Sequence, residues 1–592
     1  MSLIVQKFGG TSVANAEKIL AAARRAIRAH QDGNQVVMVV SAMGKQTDVL
    51  VDLAKQLCGD PPAREMDMLL ATGEQVSVAL MAMAIHALGH QAVSLTGGQI
   101  GIRTDSSHTK ARIQSISTER MRRLLDEGKI VIAAGFQGID EDFNITTLGR
   151  GGSDTTAVAL AAVLNADVCE IYTDVDGVFT TDPRLVATAR KMSHVSHDEM
   201  LELASLGAGV MHSRSIEFGK KFNVPIHVRN SGSFSDEPGT IIGPISESAD
   251  RAVSGAALTK NEAQISIAGL PDQPGTSLAI FSRLAALNVA VDMIVQNAGA
   301  DGRADISFTV LEDDLPKALS AVEKAAKELG AEGVTHDANM SKVSIVGLGM
   351  ATQTGVADRM FRVLADEAIN IEAITTSDIK VSALVSRDKG MAALRVVHDE
   401  FELDKPPGDR VAFGDLPPIE KRADAVDIVA RLQRMEDLTI DSISLDESQA
   451  QITLFDVPDR PGIAATIFEA IARENVLVDM IVQSTGRDGR ADVSCTVPRK
   501  ELDHSLTVLS KLAEELAGEI RHEPAVAILT VTGIGIRSHT GVGLRMFQAL
   551  AEAKINVEMV NTSEVRVNVV VDADKGKTGL AALKYAFQDV LA

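Results

Sequence analysis

Four short stretches hold the residues whose types and spacing suit chemistry, and the first is VQKFGGTSV at residues 5–13. The apolar residues 3–5 predict a buried strand, which ends with Lys7 and is followed by Gly9 and Gly10. Glycine lets another group approach the backbone closely, and backbone N–H groups beside a cation commonly hold phosphate. The stretch therefore indicates either a phosphate-binding loop or a tight turn with a solvated lysine.

The other three stretches combine glycines with charged and hydroxyl side chains. GRGGSD places Arg150, Ser153 and Asp154 at the start of a predicted apolar helix, where an acid can serve an anion site or only the helix dipole. ATGEQVS places Glu74 near a predicted helix start, as a ligand or as a solvated acid. IYTDVDGVFTTDPR predicts a strand and a loop ending at Arg184, which suits a nucleotide or a tight surface turn.

The elements that must position these residues alternate between strand and helix over the first 245 residues. The apolar runs QVVMVVSAMG, QAVSLTGG, KIVIAAGFQG and CEIYTDVDG end in glycine, serine or aspartate, and helical patterns such as ANAEKILAAARRAIRAH lie between them. Unbroken apolar strands of this kind predict a mainly parallel sheet that is covered on both faces. Ligands bind at the carboxyl ends of such strands, so the pattern predicts a site as well as a fold.

From about residue 250 the chain repeats itself. Forty residues starting at Pro271 and forty starting at Pro458 are identical at 24 positions, which indicates duplication. A second pair of related stretches starts at Thr354 and Thr540, so the order of units is A, B, A′, B′. The residue pattern of each unit predicts a strand, a glycine-containing loop, an amphipathic helix, two strands joined by a turn, and a final helix.

The repeated units carry residues suited to binding rather than a catalytic set. PDQPG and PDRPG bring no nucleophile with a base, but their backbone donors lie at a predicted helix start. Asp292 and Asp479 follow on the next strand, so the loops suit the carboxylate and the ammonium of a free amino acid. Alternatively, Gly275 and Gly462 only begin helices.

Composition excludes several classes of partner. The 592 residues carry a net charge of −22 and only 3% aromatic residues with no Trp, which argues against binding to nucleic acid or to an anionic membrane. The most apolar stretch, VSVALMAMAIHALG, is too short to span a bilayer, and no export signal is visible at the N-terminus. Cys58, Cys169 and Cys495 lie far apart, as expected for reduced core thiols of a cytosolic protein.

The absence of several known motifs limits the classes of reaction that this sequence can support. The sequence has no Walker motif, protein-kinase catalytic loop or dinucleotide fingerprint, so a bound phosphate would need a different cradle. It also lacks a Ser-His-Asp set. His194 and His197 in SHVSH form only a pair, which is weak support for a metal.

Taken together, KFGGTSV, the GE pair at 73–74, TTLGRGGSDTTAVALAAVLNADVCEIYTDVDGVFTTDPR and the paired ACT-like units resemble the aspartate kinase family. The likeness covers essentially the whole chain, and the motifs occur in the family's order and spacing. It implies an α/β fold, namely an amino-acid-kinase three-layer αβα sandwich followed by four ACT-like βαββαβ α+β domains in two pairs. The expected boundaries are 1–245 for the kinase domain, 265–340 and 341–403 for the first two ACT domains, 404–437 for a linker, and 445–522 and 525–592 for the last two.

The resemblance also implies an activity. The γ-phosphoryl group of ATP, with Mg²⁺, would pass to the β-carboxylate of L-aspartate to give 4-phospho-L-aspartate, the first step toward lysine, threonine, methionine and isoleucine. Lysine, threonine or both would inhibit through the ACT domains of a cytoplasmic homodimer. A β-carboxylate is already ionised at pH 7, so this reaction needs positioning and charge neutralisation rather than a general base.

The family's functional residues carry over to matching positions of this sequence. The catalytic residues would be Lys7 and Asp154. The aspartate site would comprise Ser41, Thr47, Glu74, Arg150, Gly151, Gly152 and Ser153. The nucleotide site would comprise Lys7, Phe8, Gly9, Gly10, Thr173, Asp174, Phe179, Asp182 and Arg184. The effector sites would comprise Asp272, Asp292, Gln296, Val356, Asn370, Ile371 and Ser377 in the first half, and Asp459, Asp479, Gln483, Val542, Asn556, Val557 and Ser563 in the second.

Two departures from the family pattern leave alternatives open. Many relatives have lysine where this chain has Gly209 in GAG, and most have one pair of regulatory units rather than two. A kinase acting on another acid, such as glutamate or carbamate, is one alternative. An amino-acid-sensing regulatory protein with a weak or silent kinase domain is the other.

Overall fold

The computed structural model describes residues 2–207, 209–232, 237–248, 251–298, 302–407, 436, 438–485, 489–536 and 541–591. These residues form two compact units. The first unit comprises residues 2–179 and 191–247 together with Glu436, and the second comprises the remaining described residues.

A parallel sheet forms the centre of the first unit. Within the described residues, eight strands are arranged in the order β10-β12-β11-β9-β1-β2-β6-β3, and only β11 and β12 run antiparallel to each other. The remaining strands form a small sheet in the order β5-β4-β7-β8. The strands are β1 (Leu3–Phe8), β2 (Gln35–Val40), β3 (Ala92–Leu95), β4 (Ile102–Thr104), β5 (Ile113–Ile116), β6 (Ile130–Ala134), β7 (Gln137–Ile139), β8 (Ile145–Thr147), β9 (Val168–Thr173), β10 (His194–Ser196), β11 (Ile226–Asn230) and β12 (Thr240–Gly243).

Helices cover this sheet, as the alternating apolar pattern predicts. Residues 36–40 of β2 are completely buried, because side chains on both faces of a central parallel strand pack under helices. The helices are α1 (Ala16–Gln31), α2 (Gln46–Leu57), α3 (Ala63–Ala87), α4 (Gly97–Ile100), α5 (Glu119–Asp126), α6 (Gly152–Leu164), α7 (His197–Ser205) and α8 (Ser213–Lys221). The predicted three-layer αβα fold is confirmed.

Helix α3 corrects two sequence interpretations. It is 25 residues long, which is enough to cross a bilayer, but 56% of its most apolar window is buried inside the protein. Glu74 lies in the middle of this helix and not near its start. The helix continues through Gly73, which does not act as a helix breaker. Glycine is needed there for close packing, since a Cβ at this position would lie 2.9 Å from the Ala42 Cβ.

One continuous sheet forms the framework of the second unit. Its described residues supply twelve strands in the order β14-β15-β13-β16-β18-β17-β20-β21-β19-β22-β24-β23. They are β13 (Gly255–Pro271), β14 (Asp292–Ala298), β15 (Arg303–Leu311), β16 (Gly333–Val346), β17 (Ala373–Ser377), β18 (Lys380–Ser386), β19 (Thr439–Pro458), β20 (Ile481–Thr485), β21 (Arg490–Pro498), β22 (Glu519–Ile534), β23 (Met559–Thr562) and β24 (Arg566–Asp572). The helices are α9 (Thr276–Ala286), α10 (Leu315–Leu329), α11 (Val356–Asp366), α12 (Gly390–Glu400), α13 (Ile463–Arg473), α14 (Leu502–Glu515), α15 (Gly541–Glu552) and α16 (Gly576–Ala586).

The longest strands each serve two repeated units. The first part of β13, residues 255–259, pairs with residues 342–346 of β16, whereas its later part, residues 264–268, pairs with residues 333–337. β19 and β22 are divided in the same way. Unit B therefore uses a strand that precedes unit A in the chain, and the expected boundaries 265–340 and 341–403 leave this strand out.

Two further expectations concern the linker and the cysteines. Most of the predicted linker 404–437 lies outside the described residues; Glu436 is described and accepts a hydrogen bond from Arg214 Nε at 2.7 Å. All three cysteines are free. Cys169 and Cys495 are buried as predicted, but the prediction is wrong for Cys58, which is exposed after the end of α2.

Candidate active site and regulatory pockets

An ion pair lies at the carboxyl edge of the parallel sheet. Lys7 is the second-last residue of the central strand β1, and its Nζ is 2.5 Å from Asp154 Oδ1 in the first turn of α6. The two side chains are only 11% and 13% exposed. Removing either partner would leave a nearly buried charge without compensation, so the pair positions both groups firmly.

The glycine loop after Lys7 is shaped by close backbone contacts. A Cβ at Gly10 would lie 2.8 Å from the Ala42 carbonyl oxygen and 3.0 Å from that of Gly44, so only glycine fits without a shift. A Cβ at Gly9 would lie 3.5 Å from Lys7 Nζ. The loop therefore keeps the backbone close to the lysine ammonium, which is the arrangement that the phosphate interpretation requires.

Glycines also form the start of α6. Gly151 adopts a left-handed conformation with φ of 71°, and a side chain there would overlap His212. A Cβ at Gly135, which follows β6, would lie 2.7 Å from Ser153 Oγ. These contacts bring the N-terminus of α6 against the sheet edge, so the first turn of this helix and Asp154 face the same region as Lys7.

We expect Gly151→Ala to destabilise the first unit by about 2–4 kcal/mol, because it combines a left-handed alanine with overlap against His212. Gly89→Ala is the matched control, since Gly89 has φ of 83° and no described atom lies within 4 Å of the position that its Cβ would take. The control should lose only about 1 kcal/mol. Denaturant unfolding of both variants measures the difference, and equal losses would contradict the packing role of Gly151.

Glu74 is buried beside the end of β2. Its Oε1 accepts a hydrogen bond from the Ala42 N–H at 3.1 Å, whereas its buried Oε2 has no hydrogen-bond partner among the described residues. Burial raises the pKa of Glu74 to about 7, although the Ala42 N–H lowers it in part. A buried carboxyl with one unused oxygen is suited to receive a ligand cation.

The remaining predicted substrate residues surround this edge. The Ser41 N–H donates to the Phe8 carbonyl at 3.1 Å, and Thr47 lies in the first turn of α2. Arg150 is exposed immediately before α6. The sequence predictions for Ser41, Glu74 and Asp154 thus converge on one region, although their roles stay predictions.

The predicted nucleotide residues are only partly brought together. The Phe8 ring is buried and stacks on Tyr172 with centroids 4.8 Å apart, so only the Phe8 backbone can face a ligand. Thr173 ends β9 and donates to Asp174 at 3.2 Å, and Phe179 is half-buried. Asp182 and Arg184 belong to the second unit, where they pair with each other at 2.8 Å. Gly209, at the departure from the family pattern, is exposed with φ of 64°.

The sequence interpretation missed the groups that support the site from below. Tyr172 donates to Glu170 at 2.9 Å, and Glu170 pairs with Arg229 at 3.0 Å, so the strand beside β1 carries a buried polar network. His212 packs against Gly151, and its pKa is lowered by burial and by Arg214. Glu170 and Tyr172 lie in the quoted run CEIYTDVDG, but no motif marks Arg229 or His212, because their proximity to the site depends on strand register and on a loop far along the chain.

In the second unit, the repeated units pair across the duplicated halves. Unit A contacts unit B′, where Asn556 donates to Asp272 at 2.7 Å and Gln296 Nε2 donates to the Val557 carbonyl at 2.6 Å. The prediction that each half contains its own set of effector residues is therefore wrong in its grouping. Both halves retain both contact faces, so the sequence alone could not decide which copy pairs with which.

The other pair repeats this geometry. Unit A′ contacts unit B, where Asn370 donates to Asp459 at 2.8 Å and Gln483 Nε2 donates to the Ile371 carbonyl at 2.8 Å. The A–B′ pair thus brings together Asp272, Asp292, Gln296, Val542, Asn556, Val557 and Ser563. The A′–B pair brings together Val356, Asn370, Ile371, Ser377, Asp459, Asp479 and Gln483.

Among the described residues, pockets lie at both of these contacts. The Asp292 pocket of the A–B′ pair is lined by residues that include Phe281, Asp292, Leu544, Phe547, Thr562 and Ser563. The Asp479 pocket of the A′–B pair is lined by residues that include Val356, Asp358, Thr376, Ser377, Phe468 and Asp479. The Gln483 pocket, also in the A′–B pair, is lined by residues that include Asn370, Ile371, Asp459, Gly462, Ala464 and Gln483.

The fold and the sheet-edge site define an amino acid kinase with ACT regulatory domains. The amino acid kinase family model matches residues 2–230, and the ACT domain model matches residues 265–326, 343–401, 456–512 and 529–587. The aspartate kinase of Stutzerimonas stutzeri (strain A1501) is 50% identical over 411 residues, which are 69% of this chain and 99% of that protein. The chain belongs to the aspartate kinase family and is a kinase; the predicted four ACT domains are confirmed.

Solved structures agree with this assignment. The aspartate kinase from Synechocystis is 40% identical, covers 99% of this chain and 98% of its own, and superposes with a TM-score of 0.52. E. coli aspartokinase III shares the fold at 24% identity over 67% of this chain and 99% of its own. Its complex with aspartate and ADP has a TM-score of 0.58, and its complex with lysine and aspartate has a TM-score of 0.54.

Proposed function

We propose that the chain transfers the γ-phosphoryl group of ATP to the β-carboxylate of L-aspartate and forms 4-phospho-L-aspartate. The observation that carries this proposal is the nearly buried Lys7–Asp154 pair above a glycine loop, at the carboxyl edge of a parallel sheet. The binding of aspartate and ADP by the E. coli relative supports the same substrates.

The residues at this edge can perform the transfer without a general base. The attacking β-carboxylate is ionised near pH 7, since the pKa of such a group is about 4. Lys7 would neutralise charge on the phosphoryl oxygens, and Asp154 would hold the Lys7 ammonium in place. Positioning and charge neutralisation of this kind supply most of the catalysis in phosphoryl transfer.

Substrate orientation falls to Glu74 and Arg150 in this proposal. The unused oxygen of Glu74 would accept the ammonium of aspartate, and the exposed Arg150 beside the α6 N-terminus would meet its α-carboxylate. These two contacts would leave the β-carboxylate free to react. Ser41, Thr47 and residues 151–153 would complete the aspartate site.

ATP would enter as its magnesium complex. Mg²⁺ is commonly held by substrate phosphates with only one or two carboxylates from the protein. No cluster of three or more metal-ligating side chains occurs among the described residues. Residues 8–10, Thr173, Asp174 and Phe179, all in the first unit, are the proposed nucleotide contacts.

Product analysis tests the activity directly. The purified chain is incubated with ATP and aspartate, glutamate or carbamate, and acyl phosphate is trapped with hydroxylamine. We expect product from aspartate alone. Product from glutamate or carbamate would favour another amino acid kinase, and no product from any acid would favour an amino acid sensor with a silent kinase domain.

Feedback by lysine, threonine or both forms the second part of the proposal. The pockets between paired ACT domains support it, and the E. coli relative has been solved with lysine. Of the pockets described above, the Asp479 pocket is best suited to the side-chain ammonium of lysine. Within the described part of the chain, the Asp479 carboxylate has no hydrogen-bond or ion-pair partner. In the Asp292 pocket, Asp292 Oδ2 is already paired with Lys342, and Oδ1 accepts from the Met293 N–H.

The neighbouring positions strengthen this contrast. Asp358 in the Asp479 pocket corresponds to Leu544 in the Asp292 pocket. One Asp358 oxygen accepts from Arg362 at 2.7 Å, and the other is buried without a hydrogen-bond partner among the described residues. The Asp479 pocket therefore has free carboxylate oxygens for a cation, whereas the Asp292 pocket is lined mainly by apolar side chains.

We expect Asp479→Asn to raise the lysine concentration that gives half-inhibition by at least about tenfold, because a charged hydrogen bond is lost. Asp292→Asn, at the equivalent position of the other pair, should change it by less than about threefold. Inhibition curves measured on both full-length variants give the comparison. The reverse order of effects would place lysine in the Asp292 pocket instead.

The proposal also includes the biosynthetic pathway, the cellular compartment with the oligomeric state, and the domain boundaries. The reaction would be the first step toward lysine, threonine, methionine and isoleucine, and the enzyme would work as a cytoplasmic homodimer associated through its ACT domains. The free state of all three cysteines agrees with a reducing compartment. Sedimentation of the purified chain measures its oligomeric state. The boundaries 1–245, 265–340, 341–403, 404–437, 445–522 and 525–592 stay predictions, with the added strand 255–259 in unit B.

A further inference from the structure

Two equivalent glutamines face the PDQPG and PDRPG loops of units A and A′. Gln296 in unit A and Gln483 in unit A′ are 3% and 5% exposed, and each donates its amide N–H to a backbone carbonyl of the paired unit. Each glutamine therefore presents its Oε1 as a buried acceptor. Buried acceptors in folded proteins nearly always receive a hydrogen bond.

The two acceptors differ in what satisfies them. In unit A, Ser277 Oγ donates to Gln296 Oε1 at 2.8 Å. The equivalent position in unit A′ is Ala464, which has no hydroxyl, and Gln483 Oε1 is buried with no hydrogen-bond partner in the described part of the chain. Both Ser277 and Ala464 are buried in the first turn of their helices, so the donor to the glutamine oxygen differs by one hydroxyl group between the two units.

The unsatisfied Gln483 Oε1 belongs to a pocket that already suits an amino acid. The Gln483 pocket contains the N-terminus of α13 after Gly462, which favours a carboxylate, and the Asp459 carboxylate, which favours an ammonium. A ligand with a donor on its side chain would satisfy the third group, Gln483 Oε1. Leaving a buried acceptor without a partner is unfavourable, so such a ligand gains from filling it.

We propose that the residue at positions 277 and 464 determines which of the two pairs of units accepts a hydroxyl-bearing amino acid beside its buried glutamine. Ala464 leaves Gln483 Oε1 open, and the A′–B pair binds the ligand through it. In the A–B′ pair the Ser277 hydroxyl takes the place of the ligand donor and closes the equivalent acceptor. The two pairs are therefore unequal sites despite their duplication. This inference rests on the proposed binding of effectors by the ACT domains.

Reciprocal substitutions in the full-length chain test it. Calorimetry measures threonine and 2-aminobutyrate, which lacks only the hydroxyl, on the wild type, on Ala464→Ser and on Ser277→Ala. The wild type should bind one threonine per chain in this class of site, at least about tenfold more tightly than 2-aminobutyrate. Ala464→Ser should bring the ratio of the two affinities close to one. Ser277→Ala should add a second threonine site per chain.

The outcomes separate this inference from the proposed function. An unchanged affinity ratio in Ala464→Ser, or an unchanged stoichiometry in Ser277→Ala, overturns the inference while threonine binding by the wild type still supports regulation by the ACT domains. Absence of threonine, 2-aminobutyrate and lysine binding by the wild type overturns both. The Tm of each variant is measured as a control. A Tm equal to that of the wild type shows that a lost binding site does not reflect loss of the fold.

Discussion

Replacing Lys7 by methionine should lower kcat at least about 100-fold, the usual scale for removing one key electrostatic donor. Methionine keeps the length and apolar stem of lysine but removes the ammonium that lies 2.5 Å from Asp154. The loss should fall mainly on kcat, because the interaction strengthens as charge develops on the transferring phosphoryl group. Steady-state kinetics with saturating ATP and aspartate give the value. Activity near wild type would refute the phosphate role of the KFGGTSV loop.

A stability control is needed, because the substitution also leaves Asp154 unpaired. Breaking a buried ion pair by removing one partner costs about 3–5 kcal/mol, whereas removing both charges can be nearly neutral. The double variant Lys7→Met, Asp154→Asn should therefore regain most of the lost stability in denaturant unfolding. It should not regain activity. Recovery of activity together with stability would show that Lys7 only maintains the fold.

The sequence was sufficient for the parallel sheet of the first unit and for the Lys7–Asp154 edge, because those signals are local. Lys7 lies next to the end of an apolar strand and Asp154 lies in the first turn of an apolar helix, so the parallel sheet brings them to one edge. The local pattern predicts Glu74 near a helix start, whereas Glu74 lies in the middle of its helix. The prediction was wrong because a glycine such as Gly73 often marks a helix boundary. The actual reason for Gly73 is packing against Ala42, which no local pattern reveals.

The regulatory half shows where sequence signals end. The duplication predicted four small units, but not that Asn556 would meet Asp272 from the other half. Two copies with the same contact faces make the alternatives A–B and A–B′ equally compatible with the pattern. The shared long strands β13, β16, β19 and β22 connect A to B and A′ to B′ covalently, which leaves the lateral faces to pair across the halves.

Replacing Glu74 by glutamine should raise the KM for aspartate by at least about 30-fold at pH 8 and leave the KM for ATP nearly unchanged. Truncating one partner of a buried charged pair costs about 2–5 kcal/mol, and the ammonium of aspartate is the proposed partner. This expectation rests on Glu74 Oε2, which is buried and has no hydrogen-bond partner in the described part of the chain. An equal rise in both KM values would assign Glu74 to the nucleotide or to the fold.

The pH dependence of the same residue gives an independent measurement. Burial raises the pKa of Glu74 to about 7, so the free enzyme carries the proton at lower pH and must release it to bind the ammonium. The wild-type KM for aspartate should therefore rise up to about tenfold for each pH unit below 7, and that of Glu74→Gln should not. Because the folded state holds this proton more tightly than the unfolded state, wild-type stability should fall as pH rises from about 4.5 to 7. Glu74→Gln has no proton to lose, so it should have a higher free energy of unfolding than the wild type at pH 8 without ligands. A lower value for the variant would contradict the proposal that the Glu74 carboxyl is kept buried for substrate binding at a cost in stability.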